Sequence, residues 1–558
     1  MPAAAIPIWT RSRGGSRSAL THMHAPQVWY NGSVSGPRTG ASGGRRNVDA
    51  RARFLMRGPW SERQVGTMKE IRVTDQIQIC ELTPYLWEVV RHGDMRVPGR
   101  IYTDESGIRD LAREVQEGKP WNALSQVINV ACLPGIQKAS LAMADVHPGY
   151  GFPIGGVGAF DTEEGVVSVA GVGYDINCGV RTLRTTLSRR DVEPKKEKLA
   201  DVLFQTVPAG LGSKGDIRLS MREMDQLLVD GARWVLEHGY GTLDDLEYVE
   251  ERGRIEGADP DTVSRKAKER ELTQIGSLGS GNHYLEVQWV EKIFDEQAAQ
   301  AYGLFPNQIL ISIHSGSRAL GHQIGTDYLS SLEAASRKYG IPIRERELVC
   351  APYDSPEGRR YLAAVRCGIN GAFANRQALA HHARTAFQQA LGTPPEEITT
   401  LYEIGHNTAK VERHEINGHQ KEVIVHRKGA TRAFGPGRPE LPKAYREVGQ
   451  PVLVGGTMGT YSFILRGTTR AMQETFGSAL HGAGRTMSRR QATKRFRADG
   501  LTQELARRGI VIRGHSKKGL AEEAPGAYKD VQNVVDVMHR ADIIHRVARV
   551  QPLICIKG

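Results

Sequence analysis

Gly171-Val-Gly-Tyr-Asp-Ile-Asn-Cys-Gly-Val-Arg181 sets a carboxylate, Asp175, and a thiol, Cys178, three residues apart in a glycine-framed turn. The stretch belongs to a longer region, residues 125 to 185, in which short β-branched runs alternate with glycine turns, the signature of strands joined by tight connections. Ile71-Arg-Val73 and Gln76-Ile-Gln-Ile-Cys80 also alternate as strands do. Residues 190 to 270 read differently. Glu193-Pro-Lys-Lys-Glu-Lys-Leu-Ala-Asp-Val-Leu203 and the run from Met221 to Leu236 predict a charged helical excursion with solvated faces. After residue 275 the mixed pattern returns and continues to the C-terminus. No strict strand–helix–strand period is present, which argues against a doubly wound sheet. The expected fold class is α+β, a single large domain over residues 68–558 with a mixed β core, surrounding helices and a deep cleft.

Composition narrows the classes. The chain has 558 residues, 40% apolar and 24% charged, so it can bury a substantial core. Its 62 glycines cluster in short motifs without a repeat, which suggests loops that approach ligands closely and excludes a fibrous protein. No apolar run is long enough to span a bilayer, and no signal-peptide core is present, so a membrane partner is not expected. Six cysteines are scattered without a Cys-x-x-Cys pair, which favours a reducing, cytoplasmic setting over a disulfide framework. The net charge of +12 is uneven: residues 1–60 carry nine arginines, no lysine and one acid, Asp49, and supply +8 of it. Nucleic-acid binding would therefore rest on local patches. Residues 1–67, rich in Arg, Ser and Gly, read as a disordered leader without catalytic function. A transit peptide, a start upstream of Met68 and an RNA-binding arm are alternatives for that segment.

Several segments join glycine to His, Asp, Asn or Cys. They are Asp145-Val-His147-Pro-Gly-Tyr-Gly, the opening stretch, Gly279-Ser-Gly-Asn282-His283, His314-Ser-Gly-Ser-Arg318, Gly405-His406-Asn407 and His481-Gly-Ala-Gly-Arg485. A lone histidine beside glycine is usually a hydrogen-bonded structural residue. Taken together, one acid, one thiolate and three imidazoles form a candidate metal site. Spread from residue 175 to residue 406, they point to an active-site metal in a preformed fold and not to a zinc finger. The donor set suits Zn²⁺, Mn²⁺, Fe²⁺ or Co²⁺, and a thiolate can bridge two cations. Val454-Gly-Gly-Thr-Met-Gly-Thr460 and His481-Gly-Ala-Gly484 are candidate anion nests, with Arg318 and Arg485 as forked phosphate donors. Metals plus anion nests point to phosphoryl chemistry. No Walker motif is present, nor the Lys-x-Asp-Gly of ordinary nucleotidyl ligases; the nearest string, Arg497-Ala-Asp-Gly500, offers no attacking lysine.

Together these segments resemble the RtcB family of RNA ligases, the tRNA-splicing and RNA-repair enzymes. The resemblance rests on Gly151-Phe-Pro-Ile-Gly-Gly-Val157, Gly173-Tyr-Asp-Ile-Asn-Cys-Gly-Val-Arg181, Gly276-Ser-Leu-Gly-Ser-Gly-Asn-His283, His314-Ser-Gly-Ser-Arg318, His481-Gly-Ala-Gly-Arg485 and the final Ile-Lys-Gly558. It extends from about Met68 to the last residue. It implies two Mn²⁺ ions held by Asp175, Cys178, His283, His314 and His406, with Cys178 bridging. It also implies that His481 attacks GTP and becomes guanylylated. Asn282, Glu286, Asn407, Gly455, Thr457, Met458, Ser462, Gly482, Ala483, Gly484 and Lys557 would hold the guanylate, Glu286 reading the guanine edge. The implied reaction joins RNA ending in a 2′,3′-cyclic phosphate or 3′-phosphate to RNA beginning with a 5′-hydroxyl, in tRNA splicing or RNA repair. An archease-like activator is a further implied partner. The sequence departs from the family's commoner text at Ala144, Gly405, Gly455 and Thr457, none of which removes a ligand or the nucleophile. Two other readings are a metal-dependent phosphoesterase or cyclic phosphodiesterase, and a non-catalytic RNA-binding protein.

Overall fold

Gln308-Ile-Leu-Ile-Ser-Ile-His-Ser315 is a strand buried along its whole length. Alternation divides its side chains between two faces. Ile309, Ile311 and Ile313 pack with Leu199 and Leu203 of the helix Lys196–Thr206 and with Leu379 and Phe387 of the helix Pro356–Leu391. Leu310 joins a separate apolar cluster with Tyr402, Val448 and Ile464, so Ser312 and His314 share its face. A buried central strand thus presents hydrocarbon to the helices and polar groups toward a cleft.

The computed structural model describes residues 69–558; residues 1–67, with the expectation of a disordered leader, lie outside the described residues. The described part contains two eight-stranded sheets and two two-stranded ones. The first large sheet runs Glu70–Arg72, Gln78–Thr83, Leu86–Val89, Gly99–Tyr102, Ser140–His147, Ile154–Asp161, His419–Lys428, Asn407–Ile416. The second runs Ile398–Gly405, Gly179–Ser188, Gln308–Ser315, Tyr284–Ile293, Ile544–Lys557, Ser462–Gly467, Pro451–Val454, with Val511–Gly514 added in parallel to Ile544–Lys557. Helices cover the sheets, so the architecture is α+β. Between Ser188 and Tyr284 the chain forms short helices and 3₁₀ turns and no strand. No helix among the described residues is long and apolar enough to cross a membrane.

Register brings the functional segments together. In the second sheet Gly179 pairs with Ser315 and Gly405, His314 with Tyr284, and Tyr284 with Lys557. These antiparallel strands begin or end at one common edge, so the residues flanking them converge whatever their sequence separation. Cys178 immediately precedes Gly179, His283 precedes Tyr284, and His406 is the single residue joining Ile398–Gly405 of the second sheet to Asn407–Ile416 of the first. The site therefore lies where the two sheets meet.

The wall behind this edge is polar and fully buried. Glu403 accepts from Arg376 Nε at 2.8 Å and from Arg181. Arg376 also donates to the carbonyls of Asn177 at 2.6 Å and Ser315 at 2.8 Å. Two guanidiniums and one carboxylate thus clamp the backbone of both the Asp175–Cys178 turn and the His314 strand. Charges this deep are tolerated because they are paired and hydrogen-bonded.

Candidate active site

Two triads of metal-ligating atoms share one thiol. Asp175, Cys178 and His283 form the first, and Cys178, His314 and His406 the second. Cys178 Sγ lies 3.3 Å from His283 Nε2 and 3.2 Å from His314 Nε2. His283 Nε2 is 2.8 Å from an Asp175 carboxylate oxygen, and His314 Nε2 is 3.3 Å from His406 Nε2. Spacings of this size match the edges of coordination polyhedra with metal–ligand bonds of about 2.1 Å.

The protonation chemistry of these donors fits cations. His283 donates Nδ1–H to the carbonyl of Leu278 at 2.9 Å, so in the neutral ring Nε2 presents a lone pair to the Asp175 carboxylate. Two acceptors that close need a proton or a metal ion between them. Burial, reinforced by the neighbouring imidazoles, holds His314 and His406 well below the ordinary histidine range, as metal ligation requires. Burial would raise Asp175, but a positive charge at His283 Nε2, with the hydrogen bond it would give, outweighs burial and takes the carboxyl down to about 2; a cation between the two groups acts in the same direction. Burial and then the Asp175 carboxylate push the Cys178 thiol well above its usual value. A buried thiol of this kind becomes a thiolate when a cation sits beside it.

His481 stands on the opposite wall, just after the short strand Ser478–Leu480, with its ring centroid 4.7 Å from that of His406. Its Nδ1 is 2.6 Å from Asp145 Oδ2, and its backbone N–H donates to the same oxygen at 3.1 Å. Asp145 is completely buried on the strand Ser140–His147. A carboxylate accepts, so His481 carries its proton on Nδ1 and leaves the Nε2 lone pair free. Glycine makes this fit: a Cβ on Gly484, at φ +75°, would lie 2.3 Å from the Asp145 carbonyl oxygen.

A cavity of about 350 Å³ lies between the walls. Of the residues expected at the site, it is lined by Asp175, Cys178, His314 and His406 on one side and by His481, Gly482, Ala483 and Gly484 on the other. Asn282, Glu286, Asn407, Gly455, Thr457, Met458 and Lys557 complete that set. His283 and Ser462 stand behind it. Ser462 Oγ accepts from Gly456 N–H at 3.0 Å and from Gln288 Nε2 at 3.3 Å, so it supports the glycine turn from below. Thr457 N–H donates to Thr460 Oγ1 at 2.7 Å. Asn407 ties the walls together, donating to the Asp175 carbonyl at 3.0 Å and accepting from Gly429 N–H at 2.9 Å. Lys557 Nζ donates to the carbonyls of Gly281 and His283. Arg485 lines the cavity with its donors spent on Tyr528, Glu523 and the Glu522 and Met487 carbonyls, whereas Arg318 bonds Ser277 outside the lining.

Sequence reasoning passed over several groups. Thr182, Ser312 and Gln288 form, with the expected Glu286, a buried hydrogen-bonded row across three strands of the second sheet, with links of 3.0, 2.9 and 2.7 Å. Burial lifts the Glu286 carboxyl to about 7 against the opposing pull of Gln288 and Lys557. Lys428 lines the cavity, donates to the Tyr150 carbonyl at 2.7 Å and is brought by burial to about 7. The alternation of Ile-Ser-Ile-His314 signalled the polar face, but nothing local signalled the contact of Asp145 with His481, 336 residues away.

With this geometry in view, comparison with known proteins is specific. The family model described as tRNA-splicing ligase RtcB matches residues 126–558. The tRNA-splicing ligase RtcB of Thermococcus kodakarensis is 52% identical over 487 residues, 87% of this chain and 100% of that protein. The proteins of the same name from Methanococcus maripaludis and Archaeoglobus fulgidus are each 50% identical, over 83% and 86% of this chain and 95% and 98% of their own lengths.

Proposed function

The chain belongs to the RtcB family of tRNA-splicing ligases, and from that premise we propose that it joins RNA 2′,3′-cyclic-phosphate or 3′-phosphate ends to 5′-hydroxyl ends through a guanylate carried on His481. The observation that carries this reading is the oriented imidazole of His481, anchored through Nδ1 by Asp145 and set against the His406 side of the double triad. A phosphoesterase would need no such anchored nucleophile facing the metal-type ligands.

Asp175, Cys178 and His283 would hold one Mn²⁺, and Cys178, His314 and His406 a second. Bound there, manganese would neutralise phosphate charge and lower the pKa of a water or hydroxyl. The chain's own groups perform the rest. His481 Nε2 attacks the α-phosphate of GTP, forming a P–N bond as pyrophosphate leaves. The developing imidazolium is stabilised by the Asp145 carboxylate, which also prevents the ring from turning. Backbone N–H groups of the Gly482–Gly484 turn would donate to phosphate oxygens, the Gly456 and Thr457 N–H groups being already taken by Ser462 and Thr460. Ionised Glu286 would accept the guanine N1–H and exocyclic N–H, a pattern adenine cannot offer. The cyclic phosphate is opened by water to a 3′-phosphate, guanylate passes to that phosphate, and the 5′-hydroxyl displaces GMP. The natural ends would be those of spliced or broken tRNA in the cytoplasm, with an archease-like protein as activator.

Incubation with α-labelled GTP and Mn²⁺ should yield an acid-labile, alkali-stable protein adduct, absent in His481→Ala. Wild-type protein should then join the two RNA ends. Ligation that survives in His481→Ala would refute this reading.

A further inference from the structure

At the outer edge of the cavity, aromatic rings stand in contact with one another, two of them half exposed and Tyr174 partly buried against Gly325. Trp121 is 52% exposed and Tyr150 51%, and their ring centroids are 5.1 Å apart at 73°. Tyr150 meets Tyr174 edge to face at 6.2 Å, and Tyr174 lies 5.4 Å from the exposed ring of His322, tilted by 30°. Tyr150 and Tyr174 line the cavity, and Tyr174 immediately precedes Asp175. The row therefore leads from the metal-type ligands to bulk solvent. Solvent-exposed aromatic rings in contact, continuous with a reaction cavity, are a common sign of a ligand surface.

The row is held in place from behind. Trp121 precedes Asn122, the N-cap of the helix Ala123–Ala131. Gln126 of that helix clasps Gly149, donating to its carbonyl at 2.6 Å and accepting its N–H at 2.9 Å. The Tyr150 carbonyl receives Lys428 Nζ at 2.7 Å and Phe152 N–H at 2.8 Å. Helix start and loop are thus tied together, and two large rings keep their mutual geometry with little left to order on binding. Charge at this edge is mixed. Glu345 is occupied by Gln126, Asn129 and Gly151 N–H, and Glu347 lines the cavity near Tyr174. Arg346 stands beside Tyr174 as well as Glu347, so the charges at this edge offset one another and its distinguishing feature is the flat uncharged rings.

We propose that Trp121, Tyr150, Tyr174 and His322 form a stacking platform for unpaired nucleobases beside the RNA break, so that the enzyme selects ends with single-stranded nucleotides. The inference rests on the RNA-ligase reading. Stacking on aromatic rings is indifferent to base identity and contributes little to salt dependence.

The test uses the full-length protein and hairpin RNAs carrying zero, two or four unpaired nucleotides at a 3′-phosphate end or at a 5′-hydroxyl end. Binding is followed by fluorescence anisotropy and ligation by KM and kcat. Trp121→Ala and Tyr150→Ala should each weaken binding of overhang RNA about tenfold, with little change in salt slope. Blunt RNA should bind as before, and Trp121→Phe and Tyr150→Phe should restore affinity. Abasic overhangs should reproduce the loss on wild type and add nothing in the alanine variants. A loss at one end only assigns the platform to that strand and supports the proposal. Equal binding of normal and abasic overhangs, or an equal loss on blunt RNA, would overturn it. Self-guanylylation, a step without RNA, separates the two readings. If wild type forms no adduct yet the overhang effect persists, the ligase reading fails and the platform stands. If the adduct forms and overhangs make no difference, the platform fails and the ligase reading stands.

Discussion

The two walls of the cavity are built on different principles. The wall of Cys178, His283, His314 and His406 sits at the common edge of a strand ladder and is clamped from behind by the buried Arg181–Glu403–Arg376 cluster. The wall of His481, Gly482–Gly484 and Gly455–Thr457 is made of turns, held by a few side-chain contacts from Asp145, Ser462 and Thr460. Strand register places ligand atoms with small tolerance, as a coordination sphere demands. The Gly482–Gly484 turn can present amides to an anion, whereas the Gly456 and Thr457 N–H groups are bonded to the side chains that hold their turn in shape. Geometry of one kind suits metals, and the other suits a nucleotide that arrives and leaves.

This contrast predicts separable failures, the largest at the centre of each wall. Cys178→Ala should abolish Mn²⁺ binding, measured by calorimetry or metal content, and abolish ligation. His481→Ala should abolish the guanylate adduct and ligation while retaining the metal. If His481→Ala also loses the metal, the walls are not independent.

Asp145→Asn comes next. Asparagine preserves the volume but offers no charge to an imidazolium and can present an N–H to Nδ1, so guanylylation should fall about 10²- to 10⁴-fold. A fall below tenfold would mean that the Asp145 contact only positions the backbone. Glu403→Gln tests the support behind the first wall. It leaves two buried guanidiniums without their carboxylate and should destabilise the fold by about 3–5 kcal/mol, read from denaturant midpoints. An unchanged midpoint would show that the clamp is dispensable.

Glu286→Gln should cost about 10- to 100-fold in preference for GTP over ATP in adduct formation. The wild-type preference should weaken as pH falls through about 7, because protonation removes the acceptor charge that meets the guanine N–H groups, and the variant should lose that dependence. Ser462→Ala should have the smallest effect, a rise of about 3- to 10-fold in KM for GTP with kcat retained, since the Gly456 amide loses its acceptor while Gln288 keeps its shorter bond to Glu286. A loss of kcat would place Ser462 closer to the reacting atoms than its position behind the turn suggests.

Particular residues show how far the sequence could be read. The glycine-framed segments around Asp175, Cys178, His283, His314, His406 and His481 announced reactive side chains in turns, and the alternation of Ile-Ser-Ile-His314 announced a strand with one polar face. Their chemistry was legible because donor type belongs to the side chain itself. The partnership of Asp145 with His481 was not, although both residues lay in quoted segments, because nothing within a few residues of either encodes a contact across 336 positions. Ser462 is expected by resemblance at the nucleotide; it lies behind the cavity lining, where its Oγ accepts from the Gly456 N–H. Gln288 and Thr182 read as ordinary strand residues, yet they complete a buried row that ends at Glu286. Trp121 and Tyr150 carry no motif at all; their value as a surface comes from a helix start and a loop tied together by Gln126.

The amino-acid sequence by itself determined the α+β class, the donor inventory of one carboxylate, one thiol and four imidazoles, and the glycine turns that leave room beside them. The tertiary structure alone decided which donors share the Cys178 sulfur, which nitrogen of His481 is free, and which aromatic rings reach solvent. Side-chain type and local backbone preference act over a few residues. Distances among groups up to 336 positions apart are set by antiparallel register and by buried packing, which exist only once the sheets have formed.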